Sequence, residues 1–316
     1  MPVIALSTCY LQHKFKVNSY DMLYEAKQMG YDYVEISHSL PINAQEGVLK
    51  AVDEGFIKVA SCHNFCPMPP VLSSKVPAPN IYSPASFNKK EAQLWLKYTL
   101  KTIEFAKQVK ASAIVCHCGT LEHIFLPLDR NITKQLKQDK PLSDIILSAK
   151  YQKIKEHYLK KSANKSQAYY KNIRQSLLKL EDSLKGSNIN IAIENRDNAP
   201  ELPFDWNLDK AHKDFFDDIA YTKSWHDIGH SKKRELYGLY NQEQLIKDTH
   251  KRIIGWHLQD CTNQGKDHLA LGEGDVDFKR ISKYFDKEKH LFIFELNNKQ
   301  DRQKVIDSKK ILEDLL

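Results

Sequence analysis

Short runs of β-branched and aromatic residues recur along the chain, and segments with helical spacing of their apolar positions lie between them. The runs are eight in number: VIALST, YVEISH, KVASCHNF, AIVCHCG, INIAIEN, YTKSWHD, IIGWHLQD and LFIFELN. Such runs predict strands, whereas apolar residues three or four positions apart predict amphipathic helices. The segments with helical spacing include 18–29, 89–110, 149–185, 241–251 and 301–316. The pattern therefore predicts strands that alternate with helices throughout.

This alternation predicts a parallel sheet with right-handed crossovers, and eight such units close naturally into a barrel. An open doubly wound sheet is the alternative, but residues 7–14, after the first strand, contain no glycine for a phosphate-binding loop. The chain has 316 residues and no linker that divides it. We therefore predict an α/β fold, a (β/α)8 TIM barrel, as a single domain over residues 1–316 with long loops after strands 3 and 4.

The composition is that of a globular protein with a large core, since 41% of the residues are hydrophobic and 28% are charged. No apolar stretch approaches the roughly 20 residues that a membrane-spanning helix needs. The N-terminus becomes polar too soon for a signal peptide. Six cysteines, with the close pairs Cys62/Cys66 and Cys116/Cys118, do not resemble a secreted disulfide framework. We expect a cytoplasmic protein without a membrane partner and with reduced cysteines.

Polar residues with metal-ligand chemistry stand near the carboxyl ends of six different predicted strands. They are His63, His117, Glu194, Asp227, His257 and Glu295. In a barrel all strand ends converge on one mouth, so residues that are distant in sequence become neighbours there. Strand alternation agrees with this, because the apolar Trp256 and Leu258 on either side of His257 would then face the helices. The pattern favours one functional site over six unrelated buried polar groups.

Three of these residues are carboxylates, and carboxylates crowded in a low-dielectric mouth repel one another unless a cation compensates. Carboxylates with one imidazole form a mixed oxygen and nitrogen donor set. Such a set suits Mn²⁺, Zn²⁺, Co²⁺ or Mg²⁺ rather than a sulfur-rich structural zinc site. The sequence therefore predicts a divalent metal as cofactor.

Several strings are more specific: IAIEN at Glu194, WHDIGH at Asp227 and His230, WHLQD at His257, DHLALGEGDVDF over 267–278, and IFEL at Glu295. In order and spacing, over all eight strands, the chain resembles the xylose isomerase-like barrel superfamily, which contains sugar isomerases and epimerases and also apurinic-site endonucleases. The resemblance implies four metal ligands, namely Glu194, Asp227, His257 and Glu295. It also implies that His230 faces substrate or a further metal.

In the isomerase branch, the resemblance implies one metal that holds neighbouring oxygens of an open-chain keto sugar. Glu194 and Glu295 would then be the catalytic residues, which move a proton next to the carbonyl through an enediolate. Glu201 and Trp206 are further candidates for substrate contact, with a loop role for Glu201 and core packing for Trp206 as the alternatives. Epimerases of the family often carry an arginine shortly after the metal histidine. Here that stretch, 261–264, reads CTNQ, so the substrate contacts must differ.

In the endonuclease branch, the resemblance implies a three-zinc cluster for phosphodiester hydrolysis. Four histidines stand in places that match its additional ligands: His63, His117, His230 and His268. The third site departs from the pattern, because Lys266 stands two residues before His268, where that branch has an aspartate. Asp267 is one position out of register, which in an extended segment reverses the direction of the side chain.

Charge and loops bear on the choice between these branches. The formal charge of +7 lies largely in lysines on helical segments such as 150–171, which favours a solvated face over a nucleic-acid footprint. Loop 67–84 offers only Lys75, whereas loop 120–147 carries several basic residues beside Phe125: Arg130, Lys134, Lys137 and Lys140. We expect both loops to be lids or substrate walls, with subunit contacts in a homo-oligomer as the alternative.

These observations favour a metal-dependent isomerase or epimerase that acts on a small carbohydrate over an enzyme that acts on nucleic acid. Two alternatives stay open. One is a multi-zinc phosphodiesterase of the apurinic-site endonuclease type, and the other is a catalytically degenerate barrel that only binds metal.

Overall fold

The computed structural model describes residues 1–70, 78–122, 128–138 and 140–316, and it contains a closed barrel of eight parallel strands. The strands are β1 (Val3–Ser7), β2 (Tyr33–Ile36), β3 (Lys58–His63), β4 (Ala113–Cys116), β5 (Asn190–Glu194), β6 (Thr222–Asp227), β7 (Ile253–Leu258) and β8 (Leu291–Phe294). Each strand pairs with its neighbour in chain order, and β8 pairs with β1 to close the ring. The predicted (β/α)8 fold and all eight predicted strands are therefore confirmed.

The described residues contain thirteen α-helices in the connections between strands and at the C-terminal end. They are α1 (Cys9–Phe15), α2 (Ser19–Gln28), α3 (Gln45–Asp53), α4 (Lys89–Gln108), α5 (Leu128–Leu136), α6 (Leu142–Leu147), α7 (Ala149–Leu178), α8 (Glu181–Leu184), α9 (Leu208–Ala211), α10 (Ile228–Leu236), α11 (Gln242–Thr249), α12 (Phe278–Ser282) and α13 (Arg302–Leu315). The predicted helical segments are present, although 149–185 forms two helices, α7 and α8. Among the described residues, no helix is both long and apolar enough to cross a membrane.

Side-chain caps explain where several helices begin. The Asn88 side chain accepts a hydrogen bond from the Lys90 amide at the start of α4, at 3.0 Å. At the start of α10 the cap is Asp227, which accepts a hydrogen bond from the His230 amide at 2.7 Å. Asp227 is also the last residue of β6. The first turn of α10 is therefore fixed to a residue of the predicted metal site.

A single large side chain fills the interior of the barrel. Trp225 of β6 belongs to a buried cluster of mostly small residues from other strands: Ala5, Ala60, Ala113, Val115, Ala192 and Ile293. On β7, a Cβ atom added to Gly255 would lie 2.1 Å from the Trp225 ring, so only glycine leaves room for it. The small residues thus provide the space that the indole occupies.

Side chains alternate between the two faces of each strand, so the strands that pack around Trp225 also direct residues into the mouth of the barrel. Ala192, Trp225, Gly255 and Ile293 line the interior, and in each of these strands the residue two positions later shares the same face. The residues between them, such as Trp256 and Phe294, belong to the larger core outside the ring of strands. Trp256 and Leu258 belong to the outer core as predicted, whereas Ile254, which was also predicted to face outwards, packs against the interior cluster. The inward face ends in the polar residues of the site.

The two long loops lie partly outside the described residues. Positions 71–77 of loop 67–84, including Lys75, and positions 123–127 of loop 120–147, including Phe125, fall there. The described part of the second loop contains α5 and α6. Four basic residues in it are exposed: Arg130, Lys134, Lys137 and Lys140.

Candidate metal centre

Four predicted residues meet at the mouth of the barrel. Glu194 and Asp227 end β5 and β6, His257 is the last residue but one of β7, and Glu295 directly follows β8. All four are buried, and even Glu295 is only 8% exposed. One potential ligand atom from each residue lies within 4.8 Å of those of the other three. The fold thus gathers the ligand set that the resemblance implies.

The imidazole of His257 stands at the centre of this group. Its Nδ1 lies 2.8 Å from Glu194 Oε1, 3.1 Å from Glu295 Oε2 and 3.7 Å from Asp227 Oδ2. In a tetrahedral site with bonds of about 2.1 Å, two ligand atoms stand about 3.4 Å apart. The observed separations lie on both sides of that value. The geometry and the mixed oxygen and nitrogen donors therefore fit a divalent cation.

The protonation of the group also fits a site built for a cation. Burial, reinforced by the nearby Glu194 carboxylate, raises the pKa of Asp227 to about 8. Burial alone would lower the pKa of His257, but the Glu295 and Glu35 carboxylates raise it well above its ordinary value. Protons therefore balance part of the negative charge at neutral pH, and a bound cation would displace them.

A second group forms around the other oxygen of Glu194. His117 Nε2 lies 2.9 Å and His63 Nε2 lies 3.9 Å from Glu194 Oε2. The Nδ1 atoms face elsewhere, His117 towards Asn80 Oδ1 at 2.7 Å and His63 towards the Asn64 carbonyl oxygen at 3.2 Å. Ligand histidines typically bind polar partners through the second nitrogen in this way. Glu194 therefore bridges two potential metal-binding groups.

Arg196, which the sequence analysis did not single out, contacts the same oxygen. Its Nη1 donates to Glu194 Oε2 at 2.7 Å, and its Nε lies 3.6 Å from Glu201 Oε1. Burial would lower the pKa of the guanidinium, but the Glu194 and Glu201 carboxylates raise it above its ordinary value. Burial likewise opposes the charge of Glu194, yet Arg196 and His117 hold the pKa of that carboxyl well below its usual range. Arg196 is thus a fixed cation that keeps Glu194 ionised.

The third metal group of the endonuclease branch is not assembled. The rings of His230 and His268 lie 5.8 Å apart, yet neither belongs to a metal-binding group found among the described residues. Lys266, at the position expected for the aspartate, is exposed. His268 has a φ of 55°, in the left-handed region that few non-glycine residues adopt, so the segment is not extended here. The segment around His268 therefore differs from the pattern of the endonuclease branch in backbone conformation as well as in sequence.

An ammonium group occupies the space between the nearby acidic side chains. Lys233 Nζ lies 2.9 Å from Asp267 Oδ2 and 2.6 Å from Asp197 Oδ2. The other oxygen of Asp267 lies 3.3 Å from His268 Nδ1. Lys233 thus neutralises the carboxylates that a third ion would need, and the residues do not fit a third metal.

The two weaker candidates for substrate contact lie in different surroundings. Glu201 is 4% exposed and accepts hydrogen bonds from the Asn198 amide at 3.1 Å and from Asn80 Nδ2 at 3.3 Å. Trp206 stacks on Phe204 with ring centroids 4.5 Å apart and packs against the outer hydrophobic clusters. Glu201 therefore lies next to the site, where it contacts Arg196. The surroundings of Trp206 favour core packing over substrate contact.

Comparison with known proteins gives one family and many similar structures. The model of the xylose isomerase-like TIM barrel family matches residues 23–315. A D-tagatose 3-epimerase-like protein is 17% identical, with a TM-score of 0.67 and coverage of 100% of this chain and 97% of that protein. A 3-keto-D-glucoside 4-epimerase from E. coli is 16% identical, with a TM-score of 0.65 and coverage of 99% and 100%.

An AP endonuclease of family 2 from Brucella melitensis is similar to the same degree. It is 10% identical, with a TM-score of 0.66 and coverage of 99% of both chains. No curated protein matches the chain in sequence. At these identities the likeness shows the fold and does not distinguish between the two kinds of chemistry.

Proposed function

Because the chain belongs to the xylose isomerase-like TIM barrel family, we propose that it is a metal-dependent isomerase or epimerase of a sugar or sugar derivative. The observation that carries the proposal is the buried ligand group at the barrel mouth, formed by Glu194, Asp227, His257 and Glu295. Mn²⁺, Zn²⁺, Co²⁺ and Mg²⁺ all accept such a donor set. The residues around Lys233 do not fit the third ion of the endonuclease branch, which favours a small carbohydrate substrate over a nucleic acid.

A divalent cation bound here would polarise the carbonyl of a keto sugar and make the neighbouring C–H bond more acidic. We assign the transfer of that proton to Glu194 and Glu295, one removing it and the other returning it. Arg196 donates to the Glu194 carboxylate at 2.7 Å and fixes its orientation, which suits a group that exchanges a proton with the substrate.

Exchange of carbon-bound hydrogen with solvent tests this proposal without knowledge of the substrate. Mn²⁺-loaded protein is incubated in D₂O with a panel of ketoses, keto-sugar phosphates and inososes. We expect one compound to gain deuterium beside its carbonyl or to change configuration, as observed by NMR. Glu295→Gln, which keeps the size of the side chain but removes one of the two proposed proton-transfer groups, should lose the change of configuration. Glu273→Gln, at an exposed glutamate outside the site, is the matched control and should retain it.

A second candidate function is supported by the group formed by His63, His117 and Glu194. Two ions that share Glu194 would suit phosphodiester hydrolysis, in which one metal stabilises the attacking oxygen and the other the leaving oxygen. Cleavage of a duplex with an abasic site, lost in His117→Gln, together with no exchange in the sugar panel, would replace the isomerase proposal by a hydrolase. Metal binding with neither activity would indicate a catalytically degenerate barrel.

A further inference from the structure

Glu35 of β2 is a carboxylate buried inside the barrel. It is 0% exposed and accepts hydrogen bonds from Ser7 Oγ at 3.1 Å and from Ser61 Oγ at 2.8 Å. Pairing between β2 and β3 shifts from Val34–Val59 to Glu35–Ser61, which places Ser61 opposite the carboxylate. Local strand geometry therefore holds the carboxylate in position from both neighbouring strands.

Two serine hydroxyls do not compensate the charge of a buried carboxylate, which needs a partner that is itself charged or strongly polarised. Both oxygens of Glu35 lie 3.2 Å from His257 Nε2. Among the described residues, His257 is the only basic side chain in ion-pair distance of Glu35. His257 therefore supplies the charged or strongly polarised partner that this buried carboxylate needs.

His257 consequently has carboxylates at both of its ring nitrogens. Its Nδ1 faces the ligand atoms of Glu194, Asp227 and Glu295, and its Nε2 faces Glu35. A ring nitrogen binds a metal only through a lone pair, so the nitrogen at the ion must lack a proton while the other carries one. An acceptor at Nε2 selects that form of the ring.

We propose that Glu35 is a positioning residue of the metal centre, which accepts the Nε2–H of His257 and so fixes Nδ1 as the coordinating atom. Glu35 is not a member of the ligand group itself. Carboxylates that orient ligand histidines in this way raise the basicity of the ring and hold its plane. The inference rests on the metal centre proposed above but not on the sugar chemistry.

The first test measures the affinity for Zn²⁺ by isothermal titration in wild type, Glu35→Leu and Glu35→Gln, with circular dichroism to verify folding. We expect the Leu variant to bind Zn²⁺ about 10- to 100-fold more weakly, because His257 loses its acceptor. The Gln variant retains an amide oxygen that can accept Nε2–H, so it should lose less. Glu273→Gln, which makes the same change at an exposed glutamate outside the site, is the matched control for Glu35→Gln and should bind Zn²⁺ as wild type does.

A second measurement needs no substitution at Glu35 and decides the question if the Leu variant does not fold. In Zn²⁺-loaded wild type with ¹⁵N-labelled histidine, we expect Nε2 of His257 to carry the proton and Nδ1 to bind the metal. Coordination through Nε2, or a folded Leu variant with wild-type affinity, would overturn this inference alone. Wild type that binds no Zn²⁺ would overturn the proposed metal centre and this inference with it.

Discussion

Asp227 uses its two carboxylate oxygens for different purposes. Oδ1 caps α10 by accepting the His230 amide at 2.7 Å, and Oδ2 accepts a hydrogen bond from Gln259 Nε2 at 2.7 Å while it faces His257 Nδ1. The carboxyl is nevertheless hard to ionise, since burial and then Glu194 raise its pKa to about 8. Asp227 thus fixes the start of α10, accepts a hydrogen bond from Gln259 and contributes to the charge of the site.

The shift at Asp227 makes the stability of the metal-free protein depend on pH. Between the ordinary pKa of 3.8 and the folded value of about 8, the folded protein binds a proton that the unfolded chain releases. The free energy of unfolding should therefore fall as pH rises through this window. Urea denaturation with a chelator present, at several pH values, measures the slope. Asp227→Asn should flatten it, and an unchanged slope in that variant would contradict the assignment.

At the residue scale, the site residues at the ends of strands could be predicted from the sequence. Those whose side-chain position depends on loops and helices could not. Glu194 and His257 were predictable because every strand of a barrel ends at the same mouth. Arg196 and Lys233 were not, since their directions follow from the loop after β5 and the start of α10. The strongest signal for Arg196 was its position two residues after Glu194.

At the scale of elements, α10 begins so close to the end of β7 that a side chain at one position would displace a neighbouring residue. A Cβ atom added to Gly229 would lie 2.5 Å from the Gln259 side chain. That side chain donates to Asp227 Oδ2 and accepts from the His268 amide at 2.5 Å. The close approach of helix and strand therefore lets Gln259 connect a proposed ligand with the loop that follows β7.

Substitution of this glycine should affect the metal site more than the fold. Gly229→Ala should displace Gln259, leave Asp227 Oδ2 without its donor and weaken Zn²⁺ binding by several-fold or more. Overpacking of this kind costs about 1–3 kcal/mol of stability. Titration calorimetry and urea denaturation measure the two effects. Lys232→Ala, on the same helix, is the control, and a Gly229→Ala variant with the affinity of that control would contradict the role given to Gln259.

Element bounds were predictable to within a few residues, as for α4, which spans Lys89–Gln108 within the predicted segment 89–110. The segment 149–185 shows the limit, because helical spacing continues past the end of α7 at Leu178 and predicts one helix where the chain forms α7 and α8. Periodicity reports which face of a segment is apolar and does not by itself report a local change of direction.

At the scale of the whole molecule, the proposed ligands come from β5, β6, β7 and β8, which are consecutive strands of the closed ring. An ion that binds the folded barrel and not the unfolded chain stabilises the whole domain by mass action. We expect saturating Zn²⁺ or Mn²⁺ to raise the melting temperature by several degrees, as measured by calorimetry. Glu194→Ala, which removes the residue common to both ligand groups, should abolish the increase; an equal increase in that variant would place the ion elsewhere.

The fold could be predicted almost completely from the sequence, whereas the chemistry could not. Barrel architecture follows from alternating periodicity, but one barrel serves unrelated reactions according to the residues at its mouth. His63 and His117 favour a second ion, while Lys233 between Asp197 and Asp267 opposes a third. The sequence shows that Asp267 and His268 are adjacent but not where their side chains lie. The number of ions that can bind therefore depends on the three-dimensional placement of these side chains.

The indole of Trp225 fills the barrel directly beneath the site, with its ring centroid 5.2 Å from that of His257. Its environment therefore changes whenever the imidazole gains or loses a proton or a ligand. The residue that closes the barrel interior is thus placed to report on the centre, and we expect metal binding to change the emission of Trp225, one of four tryptophans in the chain.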